Sequence, residues 1–181
     1  MRIIAGEWRG RTIAAPRGES TRPTADRTRE TLFNMLNSRL GSFEDLRVAD
    51  MFAGSGALGL EALSRGAAQC LFVEQEDSAV KTIRANIAAF GAKLRCDVRA
   101  GSVLALGPAN TPLDLILLDP PYETGAGMVA LDKLHRLGWV GPATWCVLET
   151  ARHEDVRLTD YSVEAERNVG KARLTFLRSA A

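Results

Sequence analysis

Two short stretches of this chain hold residue types that can do chemistry together. The first is Asp119-Pro120-Pro121-Tyr122, which ends the apolar run LDLILL. Consecutive prolines fix φ at both positions and stiffen the turn. A stiff turn can hold the Asp119 carboxylate and a backbone carbonyl as paired acceptors, with the flat ring of Tyr122 beside them. That set suits the exocyclic amino group of a nucleobase. Such a nitrogen is a poor nucleophile, because its lone pair is delocalised into the ring. Two acceptors on its hydrogens draw it towards sp³ and stabilise the positive charge that grows as an electrophile arrives. A stacked tyrosine would fix the line of attack. The chemistry needs no metal. It also needs no strong base, since an alkylated ammonium loses its proton easily.

The second stretch, Gly54-Ser55-Gly56-Ala57-Leu58-Gly59, has the form G-x-G-x-x-G. It follows a strand-like segment and opens a helix-like one, the setting such a motif requires. Glycines let backbone turn tightly and approach a ligand, and the helix start directs N–H groups at it. Glu74 closes the next strand, 18 residues after Gly56, where an acid would accept hydrogen bonds from ribose hydroxyls. These features fit a nicotinamide dinucleotide and S-adenosylmethionine alike. Asp50, four residues before Gly54, tilts the balance. A carboxylate there would repel a pyrophosphate but attract the ammonium of a methionine moiety. Phe52 is expected to pack near the cofactor without taking part in chemistry. D-P-P-Y alone also reads as a plain strand-ending turn. Its company, D-x-F-x-G-x-G and Glu74, favours a methyl-transfer site.

The elements that must position these motifs alternate in type. LRVADMF, CLFVEQ, KLRCDVRA, LDLILLDPPY and TWCVLET read as strands. LGLEALSRG, DSAVKTIRANIAAFG and MVALDKLHRLG read as helices between them, the second capped by Asp77 or Ser78. The alternation predicts a mostly parallel sheet with helices on both faces. YSVEAERNV and KARLTFLRS close the chain around Gly170, too tightly for a parallel crossover, so one strand there should be antiparallel. Residues 1–15 read as a hairpin, 16–23 as a polar loop, and a helix capped by Thr24 then runs to Gly41. The chain thus divides near residue 42, into an N-terminal hairpin-and-helix extension (1–41) and an α/β body (42–181).

Charge follows the same division. The whole chain carries a formal +1, but residues 1–39 hold eight arginines against four acids, and the remainder is net negative. Arginine's planar fork suits phosphate, so a polyanion could meet this segment; a solvated face with no partner is the competing reading. Trp8 in the hairpin would either stack on RNA or pack on the body. Trp139 and Trp145 read as core. Cys70, Cys96 and Cys146 are far apart and, with two histidines, show no metal-ligand spacing, so they read as reduced thiols on strands. No apolar run approaches the ~20 residues of a membrane span, and the N-terminus lacks a secretion-signal core. A cytoplasmic location and a monomer are the default expectations.

Taken together, RIIAGEWRGR, RPTADRTRETLFNML, DMFAGSGALGLEALSRGA, VEQE and LDPPYETG, in that order, resemble the RsmD family of class I methyltransferases. That family acts on guanine N2 of bacterial 16S ribosomal RNA. The resemblance implies a Rossmann-like, seven-stranded sheet whose last strand is antiparallel. It implies S-adenosylmethionine at Asp50, Gly54, Ser55, Gly56 and Glu74, and the amino group at Asp119, Pro120, Pro121 and Tyr122. It also implies RNA contact by the N-terminal segment, where Arg2, Arg9, Arg11, Arg17, Arg22 and Arg27 lie. Ser102 stands where related enzymes often carry Asp or Asn for the adenine amino group, so a weaker hydroxyl contact is expected there. A small-subunit particle rather than free RNA is the expected substrate. The rival readings are a DNA adenine-N6 methyltransferase, whose chemistry D-P-P-Y serves equally, an NAD-dependent oxidoreductase and a non-catalytic RNA-binding module.

Overall fold

A computed structural model describes residues 1–17 and 23–180. Its helices are α1 (Pro23–Leu40), α2 (Ala57–Ser64), α3 (Asp77–Ala89) and α4 (Ala126–Arg136). Its strands are β1 (Arg47–Met51), β2 (Gln69–Glu74), β3 (Cys96–Ala100), β4 (Leu115–Leu118), β5 (Trp145–Ala151), β6 (Tyr161–Val169) and β7 (Ala172–Ser179). They form one sheet in the order β3-β2-β1-β4-β5-β7-β6. The pairs among β1 to β5 are parallel. β7 runs antiparallel to β6, as the tight turn at Gly170 requires, and antiparallel to β5 as well.

The central strands β1, β2, β4 and β5 are buried on both faces, and their side chains sort with a period of two. Val48, Phe72, Leu115, Leu117 and Val147 point into one cluster. Ala49, Met51, Leu71, Val73, Ile116, Leu118 and Leu148 point into the other. The first cluster lies under the hairpin and the first three helices, and the second under α4. Ile3, Trp8 and Ile13 of the hairpin, with Leu32, Phe33 and Leu36 of α1, belong to the same cluster as the body residues Leu60, Phe72 and Phe176.

Local detail departs from expectation at several points. α1 begins at Pro23, which puts Thr24 within the helix and not at its N-cap position. Proline suits the first helical position, where its missing N–H leaves no bond unmade. Neither Asp77 nor Ser78 caps α3; Glu76 stands at that position without a side-chain cap bond. Lys93–Arg95 forms a 3-10 turn, leaving β3 only Cys96–Ala100. Trp8 packs inward: it is 7% exposed, lies 4.9 Å from the Phe90 ring, and has Arg95 across it. Stacking of Trp8 on RNA is therefore ruled out in this conformation. Trp139 is buried and Trp145 half-buried. The three thiols are free and on strands, with Cys70 and Cys146 buried. No helix among the described residues is long and apolar enough to cross a membrane.

Candidate active site

The strand order reverses between β1 and β4, with β2 and β3 on one side and β5 on the other. In an open α/β sheet, ligands bind beyond the carboxyl ends of the strands at such a switch point. The glycine loop leaves β1 there, and the proline turn leaves β4 there. Met51 pairs with Leu118, and the Asp119 N–H donates to the Met51 carbonyl at 3.4 Å. The two motifs, 60 residues apart in the chain, thus become neighbours.

The glycines of the loop do different work. Phe52, Gly54 and Gly56 all have left-handed backbone, with φ of 59°, 59° and 83°. For Phe52 that conformation costs about 1–3 kcal/mol, a strain that concentrates at functional sites. A Cβ at Gly54 would meet nothing within 4 Å, so the outer side of the loop is open to an approaching ligand. A Cβ at Gly59 would lie 2.4 Å from the Phe72 ring. Gly59 therefore lets α2 settle onto β2. Ser55 is buried, and its hydroxyl accepts the Ala57 N–H at 3.3 Å.

Glu74 braces this loop from β2. One carboxylate oxygen accepts the Gly54 N–H at 2.9 Å and the other accepts the Glu76 N–H at 2.8 Å. Each oxygen retains a lone pair that a ribose hydroxyl could use. The Gly101 N–H donates to the Glu74 carbonyl at 2.8 Å, bringing Ser102 close by. The Ser102 hydroxyl is exposed and accepts the Leu104 N–H at 3.1 Å, capping a short turn.

Asp50 differs from its expected placement. It does not face an open ligand site; it is 1% exposed, beneath the loop. One oxygen accepts the Gly59 N–H at 2.9 Å, and the other is buried without a partner. Burial pushes its pKa up to about 8, against the opposing effect of the Gly59 hydrogen bond. The physical reason is register: residues of β1 alternate between faces, and this one points towards α2.

The proline turn is the more open side. Pro120 is buried, whereas Asp119, Pro121 and Tyr122 are exposed. The Tyr122 hydroxyl donates to Glu149 Oε2 at 2.8 Å, which tethers the ring while leaving it 43% exposed. Burial raises the Tyr122 pKa, and the charge of Glu149 adds to the effect. Burial likewise raises Glu149, opposed by its hydrogen bond from Tyr122 and its hydrogen-bonded contact with Asp119. Beyond Tyr122, Glu123 adopts φ 63°; its N–H donates to Glu154 at 2.9 Å, and its carboxylate meets His153 at 2.7 Å.

The N-terminal arginines divide into two groups. Arg2 donates to the Gly10 carbonyl at 2.8 Å. Arg11 donates to the Ala89 carbonyl at 2.7 Å and lies over the Phe90 ring. Both keep exposed surface, as do Arg9, Arg17 and Arg27. Arg22 lies outside the described residues. Asp26 pairs with Arg29 of the same helix at 3.5 Å.

Three residues here had no place in the sequence reading. Glu149 could have been suspected as the lone acid in the apolar strand TWCVLET. Glu61, fully buried in LGLEALS, accepts the Ile4 and Ala5 N–H groups at 2.9 and 3.1 Å. Asn86 bridges the loop and the hairpin, and nothing in its local sequence signals it. A separate concavity of about 300 Å³, lined by Arg47, Gln69, Cys96, Arg99 and Trp139, lies at the amino ends of the strands, away from all these groups. Among the described residues, no cluster of His, Cys, Asp and Glu could hold a metal ion.

The family model described as Conserved hypothetical protein 95 matches residues 1–178. Ribosomal RNA small subunit methyltransferase D of Escherichia coli (strain K12) is 37% identical over 150 residues, 83% of this chain and 74% of that one. The chain belongs to the RsmD family. The RsmD relative of Haemophilus influenzae is 36% identical over 160 residues, covering 84% of this chain and 79% of its own length. Among solved structures, Escherichia coli yhhF superposes with a TM-score of 0.85 at 33% identity, covering 100% of this chain and 98% of that one. The chain thus has the class I, S-adenosylmethionine-dependent methyltransferase fold, with the seven-stranded sheet and reversed β7 described above.

Proposed function

We propose that this protein transfers a methyl group from S-adenosylmethionine to the exocyclic N2 amine of a guanine in 16S ribosomal RNA. One observation carries the reading: the glycine loop and the Asp119–Tyr122 turn stand side by side at the β1–β4 switch point. Relatives named as small-subunit ribosomal RNA methyltransferases support the RNA target.

The loop suits S-adenosylmethionine. Space is open above Gly54, and Glu74 Oε1 is a part-buried acceptor at the loop. When bound, that cosubstrate supplies an electrophilic methyl group on a sulfonium. Glu74 holds the ribose side; Gly54, Ser55, Gly56 and Phe52 shape the floor; Ser102 borders the adenine side. Asp50 acts from beneath, through the first turn of α2.

On the opposite wall, the Asp119 carboxylate and the Pro120 carbonyl accept the two amine hydrogens. The target base is flipped out or already unpaired, and stacks on the tethered ring of Tyr122. As the C–N bond forms and the S–C bond breaks, positive charge grows on nitrogen beside Asp119. That carboxylate is placed to take the released proton. Pro120 and Pro121 keep the acceptors rigid, so little reorganisation accompanies the reaction.

Residues 1–41 act as the RNA-facing extension, with the exposed Arg9, Arg17 and Arg27 open to phosphate and with Arg2 and Arg11 contributing beside them. The protein works as a monomer on a small-subunit particle, whose surfaces complete a binding face that a short hairpin offers only in part.

A labelled-methyl assay tests the reading. S-adenosylmethionine would be offered with naked 16S RNA, unmodified small subunits and unmethylated DNA, and the product nucleoside identified by mass spectrometry. N2-methylguanine, formed best in small subunits, is expected. N6-methyladenine in DNA would overturn the RNA target and leave the amine chemistry standing.

A further inference from the structure

Asn86 sits on α3 and is 4% exposed. Its amide nitrogen donates to the Ser55 carbonyl in the glycine loop at 3.0 Å and to the Ala14 carbonyl at the end of the hairpin at 3.0 Å. Its amide oxygen accepts the Ala14 N–H, also at 3.0 Å. An asparagine amide has two N–H donors and one carbonyl acceptor. All are engaged, and all on backbone of the two segments that the proposed reaction must bring together.

The hairpin has little freedom to move apart from the loop. Glu61 of α2 holds the Ile4 and Ala5 N–H groups. Ser64 accepts the Trp8 N–H at 3.0 Å and donates to the Ala5 carbonyl at 2.6 Å. Gly6 rests so closely on α2 that a Cβ there would lie 1.8 Å from the Ser64 carbonyl oxygen. That same helix begins at Ala57, directly after Gly56 of the loop. The hairpin therefore rides on the element whose first turn forms the cofactor site, and Asn86 joins the two directly.

We propose that Asn86 is a positioning residue that couples the two halves of the site, so that a ligand on the glycine loop stiffens the arginine-bearing hairpin and raises affinity for RNA. The coupling rests on the reading of the loop as the cofactor site and of the hairpin as RNA-facing. A ligand that orders the loop removes part of the conformational entropy that RNA binding would otherwise have to remove. The effect is reciprocal: RNA on the hairpin raises cofactor affinity by the same factor.

The test uses the full chain with S-adenosylhomocysteine and unmodified small-subunit particles as probes. In the wild type, S-adenosylhomocysteine should slow amide exchange at Ala14 and tighten particle binding about tenfold, within the usual range of coupling between sites. Asn86→Asp keeps the acceptor for the Ala14 N–H and sets an oxygen against both carbonyls. In it, the ligand should no longer slow exchange at Ala14, and the coupling factor should fall to about one. Gly6→Ala, which forces the hairpin off α2, should weaken the coupling from the other side. A merely structural brace would lower the melting temperature of N86D and leave the coupling factor unchanged; that result overturns the proposal. Wild-type protein that binds both probes with no exchange effect and no coupling also overturns it, even if neither variant folds. Absence of S-adenosylhomocysteine binding by the wild type would instead defeat the cofactor reading, and the coupling with it.

Discussion

The two walls of the crevice are built differently. The glycine loop is braced from within: Asp50 and Asn86 are buried, and Glu74 is partly so. Their bonds run to loop or helix backbone, where no side-chain rotamer has to be held. The proline turn is held from without. Its covalent stiffness comes from Pro120 and Pro121, and its latches are carboxylates, Glu149 under Tyr122 and Glu154 under the Glu123 N–H. One wall is thus part of the core, where a change of one methyl group alters packing. The other is an exposed edge, where a change alters chemistry and leaves the fold standing. In the function proposed here, that asymmetry suits a small cosubstrate on the braced wall and a large RNA on the open one.

The sharpest way to break the comparison is Asp119→Ala. Removing one acceptor for developing charge should lower kcat by about 10²–10³, while stabilisation by S-adenosylhomocysteine persists in a melting experiment. Loss of that stabilisation in D119A would mean that the two walls are not separable. Gly59→Ala probes the braced wall. With 2.4 Å available beside the Phe72 ring, overpacking should destabilise the fold by about 1–3 kcal/mol. Chemical denaturation measures this, and an unchanged midpoint would show that α2 does not need its close seat.

The buried carboxylate adds a pH signature. Folded Asp50 holds its proton up to about pH 8, whereas an unfolded aspartate releases it near pH ~3.9. Between those values the native state binds more protons than the unfolded state, so stability falls as pH rises. It is fully present below pH ~4 and lost through about pH 8, with a slope of at most about 1.4 kcal/mol per pH unit from this group. Asp50→Asn keeps an acceptor for the Gly59 N–H and should flatten that part of the stability curve. A slope unchanged in D50N would assign the effect elsewhere. The smallest effect is expected from Tyr122→Phe. It keeps the ring and removes the bond to Glu149, so kcat/KM should fall only about two- to tenfold, the value of one net hydrogen bond. The melting temperature should barely move, because the residue is exposed. A large loss of stability would place Tyr122 with the braced wall.

Much of this was legible in the chain because it rests on local rules. Strand–helix alternation predicted the parallel sheet, Gly170 the antiparallel end, and D-P-P-Y with G-x-G-x-x-G the two chemical motifs. These signals come from period, turn geometry and backbone freedom, which neighbouring residues determine among themselves. Tertiary structure decided what depends on partners far away in sequence. It turned Trp8 inward onto Phe90 and placed the Asp50 carboxylate beneath the loop. Glu149 was brought under Tyr122, 27 residues away. Asn86 was set between Ala14 and Ser55, 72 and 31 residues away. A lone acid or amide in a helix or strand carries no mark of the backbone it will meet. Its burial is favourable only once that distant backbone arrives to satisfy its hydrogen bonds, and only the folded chain brings the two together.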